Sequence, residues 1–181
     1  YTPHCPTCRA CQSVRVDPQH WQASASQRRL LNKAKRAGLT YRLVSKPRPD
    51  EYFALFAQYI SFKHQDGVMY PATEAQLSSM LNCSWLPVRY LEITCQQQLV
   101  SVSIIDELAD SFSAVYTFFA EQYQHLSPGK LAIIYLLQHA RQNSKSFVYL
   151  GYRVEGCQKM AYKAEFMPQQ RFIQGQWHSF G

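Results

Sequence analysis

The sequence is poor in acidic residues, and it lacks both a long apolar run and an export signal. Its 181 residues include 12 aspartates and glutamates against 19 lysines and arginines, which gives a formal net charge of +7. The most apolar stretch, LAIIYLL, is short and lies between Lys130 and His139, so it cannot span a bilayer. Because no signal peptide opens the sequence, we expect a cytoplasmic protein without a membrane partner. The basic balance favours an anionic partner such as nucleic acid.

Acidic residues are absent altogether from one segment. Residues 28–48 read RRLLNKAKRAGLTYRLVSKPR and contain eight cations and no carboxylate. A solvated surface usually mixes charges of both signs, because this avoids self-repulsion. The segment is therefore a candidate surface for nucleic-acid phosphates, with a solvated basic face as the alternative interpretation.

Turn residues and apolar periodicity predict the order β-α-β-α-α-β-β-β-α-β, followed by a tail. The linkers QQQ and DS between three consecutive strands are tight, which predicts an antiparallel meander. The later strand SFVYLGY is fully apolar, as is typical of a strand at a sheet centre. We expect SVSIIDELA, FSAVYTFFA and SFVYLGY to lie side by side in one sheet. The predicted fold class is a mixed α/β (α+β) domain, with a twisted, mainly antiparallel sheet flanked by helices.

Capping residues predict where the helices begin and end. Ser24 or Ser26 precedes the first helix, and Gly38 closes it, because glycine readily adopts a left-handed conformation. Asp50 is the predicted N-cap of the second helix. The run Thr73-Glu74-Ala75-Gln76 has the pattern of a capping box, so a third helix begins there.

Three of the six cysteines form a candidate metal site. HCPTCRAC places Cys5, Cys8 and Cys11 three residues apart, beside His4. Cys-x-x-Cys spacing lets two thiolates reach one zinc ion or iron–sulfur cluster from a tight turn. All four side chains cannot easily face one ion, so a complete site needs a ligand from elsewhere. The alternative is a reduced, cysteine-rich turn.

A polar pair follows the second predicted helix. In KHQDG, His64 and Asp66 stand beside Lys63 and the turn residue Gly67. Such a pair can orient or deprotonate an amine at the mouth of a cleft. The competing interpretation is that both residues end the helix through local hydrogen bonds.

The late helix begins with SPGK (127–130), which is not a phosphate-binding P-loop. The upstream glycine of that motif is missing, and Leu131 stands where Ser or Thr would bind magnesium. We expect Ser127 to be the N-cap and Pro128 the first helical residue. A helix N-terminus still suits a phosphate, and Lys130 adds a cation.

The segment YLGYRVEGCQKMAYKAEFMP (149–168) concentrates polar aromatics and cations. Gly151 and Gly156 permit sharp bends within it. These bends would bring four further residues to one surface where a base stacks and a phosphate binds; they are Tyr152, Lys159, Tyr162 and Lys163. Alternatively, the amphipathic aromatics only close the mouth of a barrel.

Five segments together carry a resemblance to a known family. They are YTPHCPTCRACQSVRV (1–16), SASQRRLL (24–31), YISFKHQDGVMYP (59–71), SAVYTFF (113–119) and YLGYRVEGCQKMAYKAEFMP (149–168). In these the chain resembles the arginyl-tRNA–protein transferase family, and more closely its bacterial aspartate/glutamate leucyltransferase branch. The resemblance implies a GNAT-like acyltransferase fold. It also implies that the groove that binds acetyl-coenzyme A elsewhere receives the aminoacylated 3′ end of a tRNA.

The chain departs from the family pattern in two places. Family members carry a cysteine-bearing segment before the position of Tyr1. We therefore expect a single domain over residues 1–181, in which the Cys-rich residues 1–16 continue a missing N-terminal region and the metal or iron–sulfur site is incomplete. Family members also tend to have S-L-G-T/S where this chain has SPGK. The added Lys130 either strengthens a phosphate contact or is surface variation.

The implied reaction moves leucine from Leu-tRNA to the N-terminal amine of proteins that begin with Asp or Glu, within a protein-degradation pathway. The ester is already activated, so the reaction requires positioning, a base and oxyanion donors, and no cofactor. The predicted catalytic residues are His64 and Asp66. The predicted substrate-binding residues are Lys63, Tyr70, Tyr116, Lys130, Tyr149, Tyr152, Lys159, Tyr162 and Lys163. The predicted tRNA-binding residues are Arg28, Arg29, Lys33, Lys35 and Arg36.

Three other functions stay open. Arginyl instead of leucyl transfer depends on one pocket that the sequence does not locate. A non-catalytic RNA-binding module would use the basic helix and the tyrosines without chemistry. An acetyltransferase that uses acetyl-coenzyme A is disfavoured, because the Gln/Arg-x-x-Gly-x-Gly/Ala pyrophosphate loop is missing before LAII.

Overall fold

The structure is a computed structural model that describes residues 10–181, apart from the side chain of Lys159. Within these residues the chain forms eight strands and five helices. In chain order they are β1 (Cys11–Val16), α1 (Ala25–Arg36), β2 (Leu39–Val44), α2 (Pro49–Lys63), α3 (Glu74–Leu81), β3 (Val88–Cys95), β4 (Gln98–Glu107), β5 (Ser111–Phe119), α4 (Pro128–Gln142), β6 (Phe147–Val154), α5 (Gln158–Ala161), β7 (Gln169–Ile173) and β8 (Gln176–Phe180). Short 3₁₀ turns cover Glu121–Leu126 and Tyr162–Glu165.

The predicted order of elements is confirmed as far as β6, but the tail is not irregular. It contains α5, a 3₁₀ turn and the hairpin β7–β8, which sequence reasoning missed. The hairpin turn is formed by Gln174 (φ +50°) and Gly175 (φ +83°). Positive φ at both central residues matches the twist of the flanking strands in a two-residue hairpin loop.

The predicted helix caps are confirmed for α1 and α3 and wrong for α2. The Ser24 side chain accepts from the Gln27 amide and Thr73 accepts from the Gln76 amide, and both complete capping boxes. Helix α2 begins one residue before Asp50, because Pro49 occupies its first position and Arg48 is the N-cap. Proline is suited to that position, since its fixed φ is helical and its missing N–H has no intrahelical acceptor there.

The eight strands form one sheet in the order β2-β3-β4-β5-β6-β1-β7-β8. Every neighbouring pair is antiparallel except β5 and β6. The prediction that β4, β5 and β6 are adjacent is therefore confirmed, as is the mixed α/β fold class with a mainly antiparallel sheet. The strands β2 and β8 form the two edges of the sheet.

Two hydrophobic clusters pack on opposite faces of the sheet. One contains α4, the buried side of α1 and inward residues of β1 and β6, such as Val14 and Val148. The other contains α2 and α3 packed on β3, β4 and β5, with Phe56 and Phe118 fully buried. No helix of the described residues is long and apolar enough to cross a membrane.

Candidate active site between β5 and β6

The strands β5 and β6 pair over only three residues each. Ser111–Ser113 pairs in parallel with Phe147–Tyr149. Beyond this point β5 stays paired with β4, and β6 stays paired with β1. A parallel ladder continues only while two strands stay about 4.8 Å apart, so β5 and β6 separate here. We call this gap, between residues 114–119 of β5 and 150–154 of β6, the wedge.

A lysine ammonium group lies in the wedge. Lys163, from the 3₁₀ turn after α5, donates from Nζ to the Tyr152 carbonyl oxygen at 2.8 Å. Burial lowers the pKa of Lys163, although the Cys157 thiol nearby acts in the opposite direction. A β carbon added at Gly151 would stand 3.3 Å from Nζ and 3.8 Å from the Ala114 carbonyl oxygen. The cation is thus held between the separating strands.

Hydrogen bonds from the Gln169 side chain fix the backbone of the turn that carries Lys163. Gln169, at 2% exposure, donates from Nε2 to the carbonyl oxygens of Lys163 (3.0 Å) and Phe166 (3.1 Å). Its own Oε1 accepts from Arg171 Nε at 2.9 Å. The Phe166 side chain is fully buried in the cluster under α4. These contacts fix the backbone of the turn, so the position of Lys163 does not depend on its side chain alone.

Three tyrosine hydroxyls from different elements meet at the wedge. Burial raises the pKa of Tyr59, and electrostatic interactions with Tyr116 and Tyr162 raise it further. Burial also raises the pKa of Tyr162, and it raises that of Tyr116 to about 12. All three therefore remain neutral at physiological pH. Helix α2, strand β5 and the 3₁₀ turn contribute one hydroxyl each.

His64 and Met69 contact this group of hydroxyls. His64 Nε2 lies 3.4 Å from the Tyr59 hydroxyl, and the two rings are 5.3 Å apart. The Tyr116 hydroxyl donates to Met69 Sδ at 3.8 Å. The end of α2 and the loop after it are thus joined to the wedge. An imidazole, three neutral hydroxyls and a desolvated ammonium can bind a polar carbonyl group and stabilise negative charge that develops on its oxygen.

Five of the predicted site residues come together around the wedge. His64, Tyr116, Tyr162 and Lys163 contribute side chains, whereas the contact that Tyr152 makes there with Lys163 is through its backbone carbonyl oxygen. Asp66 and Tyr70 lie on the exposed loop after α2, and Tyr70 is 49% exposed. Lys63 donates to Gln124 Oε1 at 3.4 Å.

Two further predicted residues make contacts outside the wedge, and a third cannot be placed. Lys130 Nζ donates to both carboxylate oxygens of Glu165, at 2.7 and 2.8 Å, so its charge is compensated inside the chain. The Tyr149 ring packs against Trp177, with centroids 6.0 Å apart. The side chain of Lys159 lies outside the described part of the structure.

Sequence reasoning missed Tyr59, Met69 and Gln169. Tyr59 falls in the apolar stripe of α2, where its spacing indicates a core residue, and it is indeed buried. Only its hydroxyl reaches the site. Met69 lies within the family segment YISFKHQDGVMYP (59–71), but its residue type does not indicate a role in a site, and Gln169 belongs to none of the five segments.

The five predicted tRNA-binding residues are exposed on α1, which turns Gln27 and Ala34 inward. Arg28 Nη1 donates to the Ala23 carbonyl oxygen at 2.6 Å, and Lys33 Nζ donates to the His125 carbonyl oxygen at 3.1 Å. Within residues 10–181, the other three cations make no hydrogen bond or ion pair; they are Arg29, Lys35 and Arg36.

The cysteine site falls largely outside the described residues. Cys5 and Cys8 lie there, whereas Cys11 begins β1 and is half-buried with a free thiol. Among residues 10–181 no three His, Cys, Asp or Glu side chains are grouped so that they could hold a metal ion. The zinc or iron–sulfur site therefore stays a prediction.

Solved structures define the class of fold. The L-PGS structure from Bacillus licheniformis superposes with a TM-score of 0.69 at 13% identity, over 94% of this chain and 58% of that one. A GCN5-related glucosamine N-acetyltransferase region of a fungal multi-domain β-N-acetylglucosaminidase superposes with a TM-score of 0.53 at 7% identity, over 80% of this chain and 19% of that one. The predicted GNAT-like acyltransferase fold is confirmed.

Sequence comparison identifies the family within this class. The family model for the arginine-tRNA-protein transferase C terminus matches residues 51–173. An aspartate/glutamate leucyltransferase from Aeromonas hydrophila is 41% identical over 177 residues, which are 98% of this chain and 73% of that protein. The chain belongs to the arginine-tRNA–protein transferase family, as the resemblance implied.

Proposed function

We propose that this protein is a tRNA-dependent aminoacyltransferase that moves leucine from Leu-tRNA to the N-terminal amine of proteins beginning with Asp or Glu. The identity of 41% over nearly the whole chain with a relative of that name carries the proposal. Its partners would be the aminoacyl-tRNA and the acceptor protein. The family's role in protein degradation would place the reaction in the cytoplasm.

The reaction forms one bond and breaks one. The amine nitrogen of the acceptor attacks the ester carbonyl carbon of Leu-tRNA. The tetrahedral intermediate collapses by breaking the carbon–oxygen bond to the ribose, which yields a peptide bond and a free tRNA 3′ end. The proton lost by nitrogen balances the proton gained by the ribose oxygen. Since the ester is activated, alignment of the two substrates supplies much of the acceleration.

We assign the stabilisation of the oxyanion to the wedge. One proton of the Lys163 ammonium is used by the Tyr152 carbonyl oxygen, and an ammonium group has three. A cation in a partly buried site interacts more strongly with developing negative charge than one in water. Tyr162, which precedes Lys163 in the same 3₁₀ turn, has a neutral hydroxyl that is a further donor.

We propose that His64, and not Asp66, is the base that accepts the proton lost by the amine of the acceptor protein. His64 lies beside the wedge, and its Nε2 is 3.4 Å from the Tyr59 hydroxyl, which orients the imidazole ring. Asp66 lies two residues further along in the exposed turn. A neutral imidazole carries an acceptor nitrogen, so it can take a proton from an ammonium group.

The charge of the wedge supports leucine as the transferred residue. Within the described residues, the Tyr116 hydroxyl donates to Met69 Sδ and the Lys163 ammonium donates to the Tyr152 carbonyl oxygen, so neither hydrogen bond involves a carboxylate. An arginine side chain bound there would meet the like charge of Lys163. A leucine side chain needs only apolar contacts, which the Tyr116 ring and the Met69 side chain provide.

A transfer assay tests this proposal. Purified protein is incubated with radiolabelled Leu-tRNA or Arg-tRNA and with peptides that begin with Asp, Glu, Ala or Arg. We expect label from Leu-tRNA on the Asp and Glu peptides only. Transfer from Arg-tRNA would instead establish arginyl specificity. Binding of tRNA without transfer to any peptide would identify an RNA-binding module.

A further inference from the structure

The half of the sheet formed by β6, β1, β7 and β8 carries an aromatic surface outside the wedge. Strand pairing brings Arg15 beside Tyr149 and Gln170, and it brings Phe172 beside Trp177. Paired residues in adjacent strands point to the same face of a sheet. We call the surface formed by Arg15, Phe147, Tyr149, Phe172 and Trp177 the platform.

The platform is held rigidly by contacts among its own members. The Arg15 guanidinium lies over the Phe147 ring at 3.9 Å and over the Trp177 ring at 4.0 Å. Its Nε donates to Gln170 Oε1 at 2.7 Å, which fixes the plane of the group. The Trp177 ring also contacts Phe172, with centroids 5.2 Å apart. These aromatic rings are therefore pre-positioned for a ligand.

The described helices do not bury this surface. Val14, Val16, Val148 and Leu150 point to the opposite face, where they pack in the cluster with α4. On the platform's own face, α2 and α3 pack with residues of β3, β4 and β5, and no buried member of that cluster comes from β6, β1, β7 or β8. Phe172 is 41% exposed. Contiguous exposed aromatic groups on a folded protein commonly mark a binding surface.

The charge of this half of the sheet selects the kind of ligand. The four strands read CQSVRV, FVYLGYRV, QQRFI and QWHSF, and they contain no Asp or Glu. Of their three arginines, Arg15 lies on the platform, whereas Arg153 and Arg171 pair with Gln12 and Val14 on the opposite face. An anionic ligand with flat apolar rings complements both features. Single-stranded nucleic acid has this chemistry, because its bases stack on aromatic rings while its phosphates attract arginine.

We propose that the platform binds single-stranded RNA by base stacking. The RNA is identified from the proposed function, on which this step rests: it is the unpaired 3′ end of the aminoacyl-tRNA. Tyr149 is the last residue of β6 that pairs with β5, so the platform ends where the wedge begins. Four strands about 4.8 Å apart span roughly 14 Å, and other four-stranded sheets stack two or three bases on their aromatic residues.

Fluorescence anisotropy with a labelled six-nucleotide RNA that ends in CCA tests the proposal. We expect Trp177→Leu and Phe172→Ser each to weaken binding about tenfold, which is the typical loss for one stacked base. Trp85→Leu is the matched control, because Trp85 is 78% exposed but lies between α3 and β3. Its variant should bind like the unchanged protein. Thermal unfolding of all three variants checks that they are folded.

Three results would overturn the proposal. The first is unchanged RNA affinity in folded Phe172→Ser protein. The second is an equal loss of affinity for a blunt RNA duplex, since a duplex offers no free bases. The third is that the unchanged protein forms a dimer which Phe172→Ser converts to a monomer without a change in RNA affinity, and this would assign the platform to a second copy of the chain. A DNA oligonucleotide of the same sequence shows whether the platform prefers RNA.

The assay separates this inference from the proposed function. Suppose that the unchanged protein transfers no leucine, but that the Phe172→Ser variant binds RNA more weakly than the unchanged protein does. The platform inference then stands, and the leucyltransferase proposal fails. If Phe172→Ser transfers leucine with an unchanged KM for Leu-tRNA, the leucyltransferase proposal stands and the platform inference fails.

Discussion

Two polar clusters border α2, and they differ in how far their charges are satisfied. In β3, Glu92 is fully buried and accepts hydrogen bonds from Tyr52 (2.6 Å), Arg42 (2.7 Å) and Arg48 (3.0 Å). At the other end of the helix, the Lys163 ammonium in the wedge makes one hydrogen bond within the described residues, to the Tyr152 carbonyl oxygen. Both oxygens of the Glu92 carboxylate are engaged, although the buried Nη2 of Arg48 has no partner among the described residues. The Lys163 ammonium keeps two of its three protons for a ligand.

This difference separates a structural cluster from a candidate active site. Removing one partner of a buried charge destabilises the fold, and the Glu92 oxygens, which already accept three hydrogen bonds, have little left to offer a ligand. A desolvated cation with unused donors is costly for the fold unless a substrate or product completes it. The Glu92 cluster should therefore govern stability, whereas the wedge should govern transfer.

Replacing Glu92 with Ala should have the largest effect on stability. It would leave the buried Tyr52 hydroxyl and the Arg48 guanidinium without their acceptor. Removal of one partner from a buried pair costs about 3–5 kcal/mol, and we expect the lower end because both arginines are partly exposed. Urea unfolding at pH 7 measures the loss. Glu51→Gln, which removes an exposed carboxylate from Arg48, is the control and should cost well under half of this.

The same cluster predicts how stability depends on pH. Burial acts to raise the pKa of Glu92, but hydrogen bonds from Tyr52, Arg48 and Arg42 outweigh it and lower the pKa below its ordinary value. The stabilisation from Glu92 is therefore present above the glutamate pKa of the unfolded chain, about 4.3. It is lost as the pH falls below this value and through the folded pKa. The difference in unfolding free energy between the unchanged protein and Glu92→Gln should shrink in that window and stay constant between pH 6 and 8.

Replacing Lys163 with Met should lower leucyl transfer while preserving the fold. Met retains most of the volume but removes the charge beside the reacting carbonyl. One charge-assisted hydrogen bond is worth about 1.5–3 kcal/mol, so we expect kcat/KM to fall roughly ten- to hundredfold. Single-turnover transfer from Leu-tRNA to an Asp-initiated peptide measures the effect.

Lys145→Met is the matched control for Lys163→Met. Lys145 is also partly buried, but its Nζ donates to the carbonyl oxygens of Leu108 (2.8 Å) and Ala109 (3.2 Å) and lies 3.6 Å from Glu107. Its donors are used inside the chain. We expect this variant to lose stability and keep its transfer rate. Equal transfer rates for the two variants would contradict the distinction between satisfied and unsatisfied cations.

Two glycines with the same backbone conformation allow a finer test. Gly151 (φ +77°) and Gly156 (φ +78°) both adopt a left-handed conformation, so Ala at either position should cost about 1–2 kcal/mol of stability. A β carbon at Gly156 meets nothing within 4 Å, whereas one at Gly151 lies 3.3 Å from Lys163 Nζ. We therefore expect Gly151→Ala to lower transfer as well, and Gly156→Ala to leave it unchanged. Equal transfer in the two variants would mean that the position of Lys163 is not critical.

Local signals in the sequence were enough to predict most of the fold. The capping boxes at Ser24 and Thr73 and the tight linkers around β4 are short-range features, and the structure confirms each of them. The β7–β8 hairpin was missed because neither QQRFI nor QWHSF alternates strictly between polar and apolar residues, and the Gln-Gly turn between them is a weak signal by itself. The predicted N-cap of α2 was wrong because Asp50 is a typical N-cap residue, whereas Pro49 is the first residue of the helix and Arg48 is its N-cap.

The site was less predictable because its properties come from distant contacts. Lys130 and Lys163 are equivalent in sequence as cations near apolar segments. Glu165, 35 residues from Lys130, neutralises the first, whereas burial lowers the pKa of the second. Tyr59 follows core periodicity and only its hydroxyl reaches the wedge. Such roles depend on which chain segments meet, and local patterns do not encode this.

The smallest expected effect concerns single cations on α1, and it extends the comparison to the surface. Arg29 and Arg36 are exposed and make no hydrogen bond or ion pair within residues 10–181, whereas Arg28 already donates to the Ala23 carbonyl oxygen. Each cation that neutralises a tRNA phosphate contributes roughly one unit to the slope of log affinity against log salt. We expect Arg29→Gln and Arg36→Gln to reduce this slope by about one unit each, and Arg28→Gln to reduce it by less. Filter binding of tRNA between about 50 and 200 mM salt resolves these changes.

Unchanged slopes in all three variants would identify α1 as a solvated basic face. Equal reductions of the slope in all three variants would show that Arg28 still neutralises a tRNA phosphate although it donates a hydrogen bond to the Ala23 carbonyl oxygen.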